Sequence, residues 1–333
     1  MTGKISNKLF AAAKSLAPAV LLGIIMVLQS PTLRAESSSW LMKINDAAAT
    51  TSFAGTFVYV RDHKVEAMEV VRRIKNGVMQ ERLYALNGEA REIVRDMNQV
   101  WCYIPDQNVA VHDYRQASES GFPRILPKDL ALLTTNYRFE MGKMSRIADR
   151  QAQQVNVIPK DSYRYGYSLW ADTQTGLLLR SDLLDQSGNL IEQYVFVKVQ
   201  IGGEIKDEQL AAVTQSDQFE LYGNSGLDVS APADKSQWFF ESLPSGYSMS
   251  RHMRRMSPME SNEVEHMVFS DGLSTVSVFI KPARQGQSGM KGLSRLGSVH
   301  TYRDTVSDHR ITVMGEVPAE TVKMLAQNIS IRP

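Results

Sequence analysis

The hydrophobic and polar positions of the chain predict strands before they predict helices. Between residues 53 and 114, short runs rich in Val, Ile, Phe and Tyr recur at spacings of about ten residues. Polar and glycine-containing segments such as Lys75-Asn76-Gly77 and Asn87-Gly88-Glu89 separate these runs. Short strands at this spacing predict an antiparallel meander. The predicted strands are TFVYVRD, VEAMEVVRRI, VMQERLYAL, REIVRDM, QVWCYIP and NVAVHDY.

The first of these strands, within SFAGTFVYV, is apolar on both faces. Phe53, Phe57 and Tyr59 share one face, while alanine and valine occupy the other. A strand of this kind needs cover on both sides, and we expect a helix inside a half-open barrel to provide it. The three aromatic residues then border a space that a lipid chain can enter, with Leu130 and Leu133 as further candidates. A filled core is the competing interpretation.

One predicted helix precedes the strands of the first domain, and a second interrupts them. In SSSW a serine can cap a helix, because Trp40, Leu41 and Ile44 follow at helical spacing. Pro127 can start the second helix, whose apolar side uses the leucines of LALL. Strands then resume in TNYRFEMGKM, QQVNVIPKD, YGYSLWAD, TGLLLRSDLL and LIEQYVFVKVQIG.

The pattern divides the mature chain into two domains. Residues 36–205 form the large antiparallel sheet, and a linker at 206–234 collects glycine, serine, asparagine and proline. Residues 235–333 form a smaller α+β domain, in which a final helix has Pro318 in its first turn. Its three strand-like runs are VEHMVFSD, LSTVSVFIKP and HRITVMGEV. The predicted fold class is α+β.

The N-terminus predicts export. Three lysines precede an uncharged apolar run at residues 16–28, and small residues follow up to Ala35. This order is typical of a secretory signal peptide over residues 1–35, and the run is shorter than the roughly 20 residues of a spanning helix. The mature protein is expected to be soluble. Its single cysteine, Cys102, allows no internal disulfide, which favours a bacterial periplasm.

Composition and motifs argue against catalysis and cofactors. The formal net charge of +1 argues against a broad nucleic-acid surface. The six histidines are scattered without metal-ligand spacing, and neither a nucleophile elbow nor a phosphate-binding glycine loop is present. We therefore expect a binding protein with no cofactor or metal, although residues distant in sequence could still form a catalytic site.

A short basic run is the first candidate binding feature. Arg251, Arg254 and Arg255, interleaved with methionines, suit an acidic peptide or a phosphate-bearing lipid headgroup. A solvated loop is the competing interpretation.

A tyrosine-rich strand is the second candidate. Alternation places Tyr163, Tyr165 and Tyr167 on one side, as a broad amphipathic surface for a protein partner. Tyrosines packed on the sheet with satisfied hydroxyls are the alternative.

Several stretches resemble the MucB/RseB family, the periplasmic regulators of the extracytoplasmic stress sigma factor. They follow one another over nearly the whole mature chain. The matching stretches are SFAGTFVYVR, GEAREIVRD, VWCYIPD, IPKDSYRYGYSLWADTQTGLLLRSDLL, SDGLSTVSVFI and TVMGEVPAETV.

The resemblance implies a non-enzymatic regulator with two domains, of which the smaller, residues 235–333, is expected to bind the partner. The larger would be an unclosed barrel similar to the periplasmic lipoprotein carriers, with helices on its concave side. Family members bind the periplasmic part of a membrane-spanning anti-sigma factor and shield it from proteolysis, until lipopolysaccharide or mislocalised lipid or lipoprotein releases them. A periplasmic lipoprotein or lipid carrier is the alternative function. The oligomeric state stays open, a homo-oligomer included.

Overall fold

The computed structural model describes residues 31–96, 99–114, 122, 125–127, 129–214, 219–223, 236–256, 263–283 and 291–332. Most of the predicted signal peptide and much of the predicted linker lie outside these ranges. The described residues form a twelve-stranded sheet, a six-stranded sheet and a two-stranded sheet. The protein is thus a large open sheet followed by a smaller sheet domain.

The first sheet has the strand order β12-β6-β5-β4-β3-β2-β1-β11-β10-β9-β8-β7. All neighbouring pairs are antiparallel except β12 and β6, which are parallel. The strands are β1 (Phe53–Arg61), β2 (Lys64–Lys75), β3 (Val78–Ala85), β4 (Glu92–Arg95), β5 (Gln99–Ile104), β6 (Val109–Tyr114), β7 (Tyr137–Ile147), β8 (Arg150–Pro159), β9 (Gly166–Asp172), β10 (Leu178–Leu184), β11 (Leu190–Ile201) and β12 (Glu220–Gly223).

Two-residue turns produce the hairpins that the sequence predicts. Asn76 and Gly77 connect β2 to β3 with φ of 53° and 75°. Two consecutive residues with positive φ match the right-handed twist of the flanking strands, and asparagine and glycine adopt that conformation most easily. The predicted meander over residues 53–114 is confirmed.

Helix α1 (Pro31–Thr50) covers the concave side of the first sheet. Leu41 and Ile44 are buried in the same cluster as the inward side chains of the strands. The described helix already includes residues 31–36, so the predicted start at the serines is wrong. Ser37 instead donates from Oγ to the carbonyl oxygen of Phe139 on β7, at 3.4 Å, and so ties the helix to the sheet.

The helix predicted after Pro127 is only one 3-10 turn, Leu130–Leu133. Asp129 caps it by accepting a hydrogen bond from the Ala131 N–H at 2.9 Å. Leu133 is buried in the core, whereas Leu132 is 55% exposed. Because the segment makes only one turn, only some of the leucine side chains of LALL can pack into the core.

The second domain is a six-stranded antiparallel sheet with one covered face. The strand order is β14-β15-β16-β19-β18-β17, and β13 pairs with β20 in a separate ribbon. Buried residues alternate along β15 and β16, because α3 packs on one side only. The elements are β13 (Trp238–Phe240), β14 (Ser248–Met256), β15 (Glu263–Ser270), β16 (Thr275–Pro282), β17 (Gly292–Leu296), β18 (Val299–Val306), β19 (His309–Gly315), α3 (Ala319–Gln327) and β20 (Ile329–Ile331).

The predicted final helix is confirmed as α3, with Pro318 directly before it and Val322 and Leu325 fully buried. Between the two sheets, the segment predicted as a linker contains a short helix, α2 (Asp207–Leu210), and the strand β12. Through β12 the chain returns to the first sheet before it enters the second domain.

Candidate functional site

The concave side of the first sheet is filled by the protein's own side chains. Phe53 is fully buried, and its ring makes an edge contact with Phe196 at a centroid distance of 5.8 Å. Phe57 is 3% exposed and stacks on Phe122 at 4.3 Å. Phe122 belongs to no strand of the sheet, and its ring packs against the aromatic side chains of β1 and β11. We call this ring the plug of the concave side.

Polar contacts hold the main chain of Phe122 in place. Its N–H donates to a carboxylate oxygen of Glu81 at 3.0 Å, and its carbonyl accepts from Arg72 at 2.8 Å. Burial raises the pKa of Glu81, while the charges of Arg95 and Arg72 lower it. Burial of this carboxylate is tolerated because the two arginines neutralise its charge and because it accepts a hydrogen bond from the Phe122 N–H.

The five predicted lipid-cavity residues all lie at this filled surface. Phe53, Phe57 and Leu133 are in the core cluster, and Tyr59 and Leu130 pack against it half-buried. Their role toward lipid stays a prediction, because Phe122 occupies the space beside Phe57.

A cavity of about 450 Å³ lies next to the plug, between the two domains. Tyr194 in its wall has a buried hydroxyl without a hydrogen-bond partner among the described residues, and burial raises the pKa of that hydroxyl. A buried hydroxyl without a partner costs free energy that a polar ligand group could recover. The first domain contributes Tyr59, Arg95, Phe122, Glu192 and Tyr194 to the wall, and the second contributes Leu273 and Glu316.

The domains meet at a polar contact that we call the domain seam, formed by Tyr137, Arg164 and Glu192 of the first domain and Ser245, Asp271 and Ser298 of the second. At its centre Arg164 is fully buried and donates to Asp271 at 2.5 Å and to the Ser245 carbonyl at 2.6 Å. Tyr137 donates to the same Asp271 oxygen at 2.9 Å. Arg164 also binds Asp161 of its own domain at 2.9 Å, so both its charge and its N–H groups are satisfied.

A second part of the domain seam lies at the edge of the cavity. Glu192 accepts hydrogen bonds from the Tyr59 hydroxyl and from the Ser298 N–H, the latter at 3.1 Å. The Ser298 hydroxyl in turn donates to Glu316 at 2.7 Å. Burial raises the pKa of Tyr59, and the bond to Glu192 raises it further. The cavity wall is therefore part of the contact that joins the domains.

Gly246 of the second domain lies close to Asn136 of the first. Its φ is +78°, and a Cβ there would lie 1.8 Å from Asn136 Nδ2. We expect Gly246→Ala to lower the free energy of unfolding by about 1–3 kcal/mol more than Gly188→Ala does, measured by urea denaturation. Gly188 has a φ of +80° but no atom within 4 Å of the built Cβ, so both variants carry the backbone strain and only one carries the clash. Equal losses would contradict the close approach.

The predicted tyrosine surface also lies at the domain seam. The Tyr163 carbonyl accepts from Tyr247 at 3.2 Å and from Thr321 at 2.7 Å. The Tyr165 hydroxyl donates to the Ser298 carbonyl at 3.3 Å, and burial raises its pKa to about 12. Tyr167 borders the cavity. Tyr163 and Tyr165 therefore contact the second domain of the same chain, and contact with another protein stays a prediction. Because β9 begins at Gly166, these two tyrosines precede the strand, so the prediction that all three tyrosines share one side of a strand is wrong.

The predicted basic run is divided by the register of β14, the edge strand of the second sheet. Arg254 pairs with Glu265 at 3.4 Å, and the same carboxylate contacts His252 at 2.7 Å. Arg251 is exposed and lies opposite Val268. It stands three positions from Arg254, so the two side chains lie on opposite faces of the sheet. The main chain of Arg255 pairs with Val264, and its side chain lies outside the described part of the chain. The three arginines therefore do not share one described cluster.

Sequence reasoning missed the residues that matter most at the domain seam. Arg164 stands between tyrosines that the pattern assigned to an exposed surface, and Asp271 is 107 positions away. No prediction singled out Phe122, which precedes the helix expected to start at Pro127. The only signal for Arg164 was its position in an otherwise aromatic run, where a buried cation needs a distant carboxylate.

Two further observations concern metal binding and membrane-spanning helices. Within the ranges that the structure describes, no group of three or more His, Cys, Asp and Glu side chains could hold a metal ion. In the same ranges, no helix is long and apolar enough to cross a membrane.

The fold and the site define a two-domain binding protein, in which an open antiparallel sheet with a plugged concave side is joined by a polar contact to a smaller α+β domain. The family model of the MucB/RseB N-terminal domain matches residues 36–214, and that of the MucB/RseB C-terminal domain matches residues 232–330. The chain belongs to the MucB/RseB family.

Individual relatives agree with this assignment over most of their length. The sigma factor AlgU regulatory protein MucB of Pseudomonas aeruginosa is 32% identical over 320 residues, 94% of this chain and 96% of the relative. The sigma-E factor regulatory protein RseB of Escherichia coli K12 is 28% identical over 298 residues, 88% and 90% of the two chains. The crystal structure of MucB in complex with MucA(peri) is similar with a TM-score of 0.71 at 30% identity, covering 89% of this chain and 99% of that one.

Proposed function

We propose that this protein is a periplasmic regulator that binds the periplasmic domain of a membrane-spanning anti-sigma factor and protects it from regulated proteolysis. The observation that carries the proposal is the similarity over nearly the whole chain to MucB, whose solved complex contains MucA(peri). Both domains take part in that similarity, which favours a protein partner over a function that the first domain could perform alone.

The domain seam supplies a physical route to release. The cavity is walled by both domains, so a ligand that enters it contacts Phe122 and Tyr194 on one side and Leu273 on the other. We infer that lipopolysaccharide or another acyl-bearing ligand enters here, displaces the Phe122 ring and favours an arrangement of the domains that no longer holds the anti-sigma factor. The ligand must bind the released arrangement more tightly, because equal affinity for both arrangements would shift nothing.

A protease-protection assay tests the function. The purified protein is incubated with the periplasmic domain of the anti-sigma factor and the protease that starts its degradation, with and without lipopolysaccharide. We expect slow cleavage in the presence of the protein and fast cleavage when lipopolysaccharide is added. Cleavage at the same rate with and without the protein would contradict the proposal.

A lipid or lipoprotein carrier is the second candidate, favoured by the cavity and by the Tyr194 hydroxyl, which has no hydrogen-bond partner in the described part of the chain. The two functions differ in one outcome. A carrier transfers a labelled acyl ligand between donor and acceptor vesicles without protecting the anti-sigma factor, whereas a regulator protects it and loses that protection when the ligand binds.

A further inference from the structure

The second sheet has an outer face, opposite α3, that no described element covers. We define this outer face by the cross-strand row that contains Arg251, Val268, Ser277 and Met314, together with the parallel row that contains Phe279 and Arg303. Register places the members of each row side by side across the strands. Val268 and Phe279 stand outside the core cluster that α3 covers, and both are half-buried.

The outer face carries charge of one sign. Among the described residues of the six strands, the side chains in these alternate positions include no aspartate or glutamate. No described ion pair neutralises Arg251, Arg303 or Arg310, whereas Arg254, on the other face, is paired with Glu265. The basic residues at these positions are Arg251, Lys281, Arg303 and Arg310. Because the whole chain has a net charge of only +1, this concentration is local.

Arg251 and Arg303 lie on either side of an apolar strip, and the Lys281–Arg310 pair lies at one end of it. The strip consists of Val268, Phe279 and Met314 on β15, β16 and β19, and the Phe279 ring stacks on His266 at 4.2 Å. Arg251 lies on β14 and Arg303 on β18, four strand positions apart, which corresponds to about 19 Å. An α-helix is about 10–12 Å wide with its side chains, so one helix fits between the two arginines.

From this charge complementarity we propose that the outer face binds an amphipathic helix with acidic residues along both edges, supplied by the protein partner. The apolar side of the helix covers Phe279 and Met314, and its acidic edges meet Arg251 and Arg303. This inference rests on the proposed function, since the partner is the periplasmic domain of the anti-sigma factor. The outer face belongs to the second domain and shares no residue with the cavity wall or the domain seam.

The test is calorimetric titration of that periplasmic domain into the full-length mature protein and into the variant Arg251→Glu/Arg303→Glu. We expect binding about tenfold or more weaker at low salt, because two attractive contacts become repulsive, and a difference that shrinks at high salt. Lys143→Glu, an exposed reversal on β7 of the first sheet, is the control and should bind as the parent does. Circular dichroism confirms that each variant is folded.

Three other outcomes of these measurements would each overturn the inference about the outer face. Equal affinity of the parent and the double variant would overturn the inference and leave the proposed function intact. A double variant that binds the partner normally but loses binding to vesicles of anionic phospholipid would overturn it in favour of a lipid surface. Failure of the parent protein to bind the periplasmic domain would overturn the proposed function and this inference with it.

Discussion

Arg164→Met is expected to lower the free energy of unfolding by about 3–5 kcal/mol. The substitution keeps most of the side-chain volume but leaves the carboxylate of Asp271 buried without its cation, and both side chains of the pair are 0% exposed. The Ser245 carbonyl also loses its donor. Urea denaturation measures the loss, and limited proteolysis is expected to cut the chain faster between the domains.

Two further variants separate the buried pair from the general effect of removing an arginine. Arg146→Met breaks an ion pair with Asp149 whose side chains are 70% and 83% exposed, and should cost less than about 1 kcal/mol. The double variant Arg164→Met/Asp271→Asn removes both charges and should recover part of the stability lost in the single variant. If Arg164→Met cost no more than Arg146→Met, the contact between the domains would not depend on this pair.

Phe122→Ala is expected to raise the affinity for a fluorescent long-chain fatty acid by about tenfold, which corresponds to about 1.4 kcal/mol. The substitution removes the ring that stacks on Phe57 and leaves an apolar space, and apolar cavities accept apolar ligands. The same variant should lower the free energy of unfolding by about 1.5 kcal/mol, because the apolar contacts of the half-buried ring are lost. Fluorescence titration and urea denaturation measure the two effects.

Higher fatty-acid affinity together with lower stability distinguishes loss of the plug from a general loss of stability. Phe240→Ala is the matched control, because Phe240 packs on Phe269 at 4.7 Å in the second domain, away from the cavity. It should lose stability without any gain in fatty-acid binding. Unchanged binding in Phe122→Ala would show that the plug does not restrict access of an acyl chain.

The strands of the first sheet could be predicted because their signals are local. A turn such as Asn76-Gly77 needs only its own two residues to reverse the chain, and the alternation in β2 and β3 follows directly. In the second domain, the pattern predicted β15, β16 and β19 but not β17 and β18. Four of the five residues of β17 are exposed, so that strand carries no apolar alternation to detect.

The candidate site could be predicted only in part. Phe53 and Phe57 were assigned to the concave side from their strand alone, but no local signal showed that Phe122 would stack on Phe57. The burial of Arg164 depends on Asp271 and Ser245, which belong to another domain. A pattern of apolar residues identifies the faces that must be covered; it does not identify the partner that covers a charged group.

The placement of β12 bears on how the first sheet avoids joining other sheets. An edge strand presents unpaired N–H and C=O groups to which a foreign strand can add. On one edge, the four-residue β12 covers β6 and leaves only a short stretch for such addition. On the other edge, an irregular register between Met141 and Met144 interrupts β7, where Lys143 is exposed. Both ends of the sheet are therefore poor templates for aggregation, an advantage for a chain that keeps so extended a sheet open.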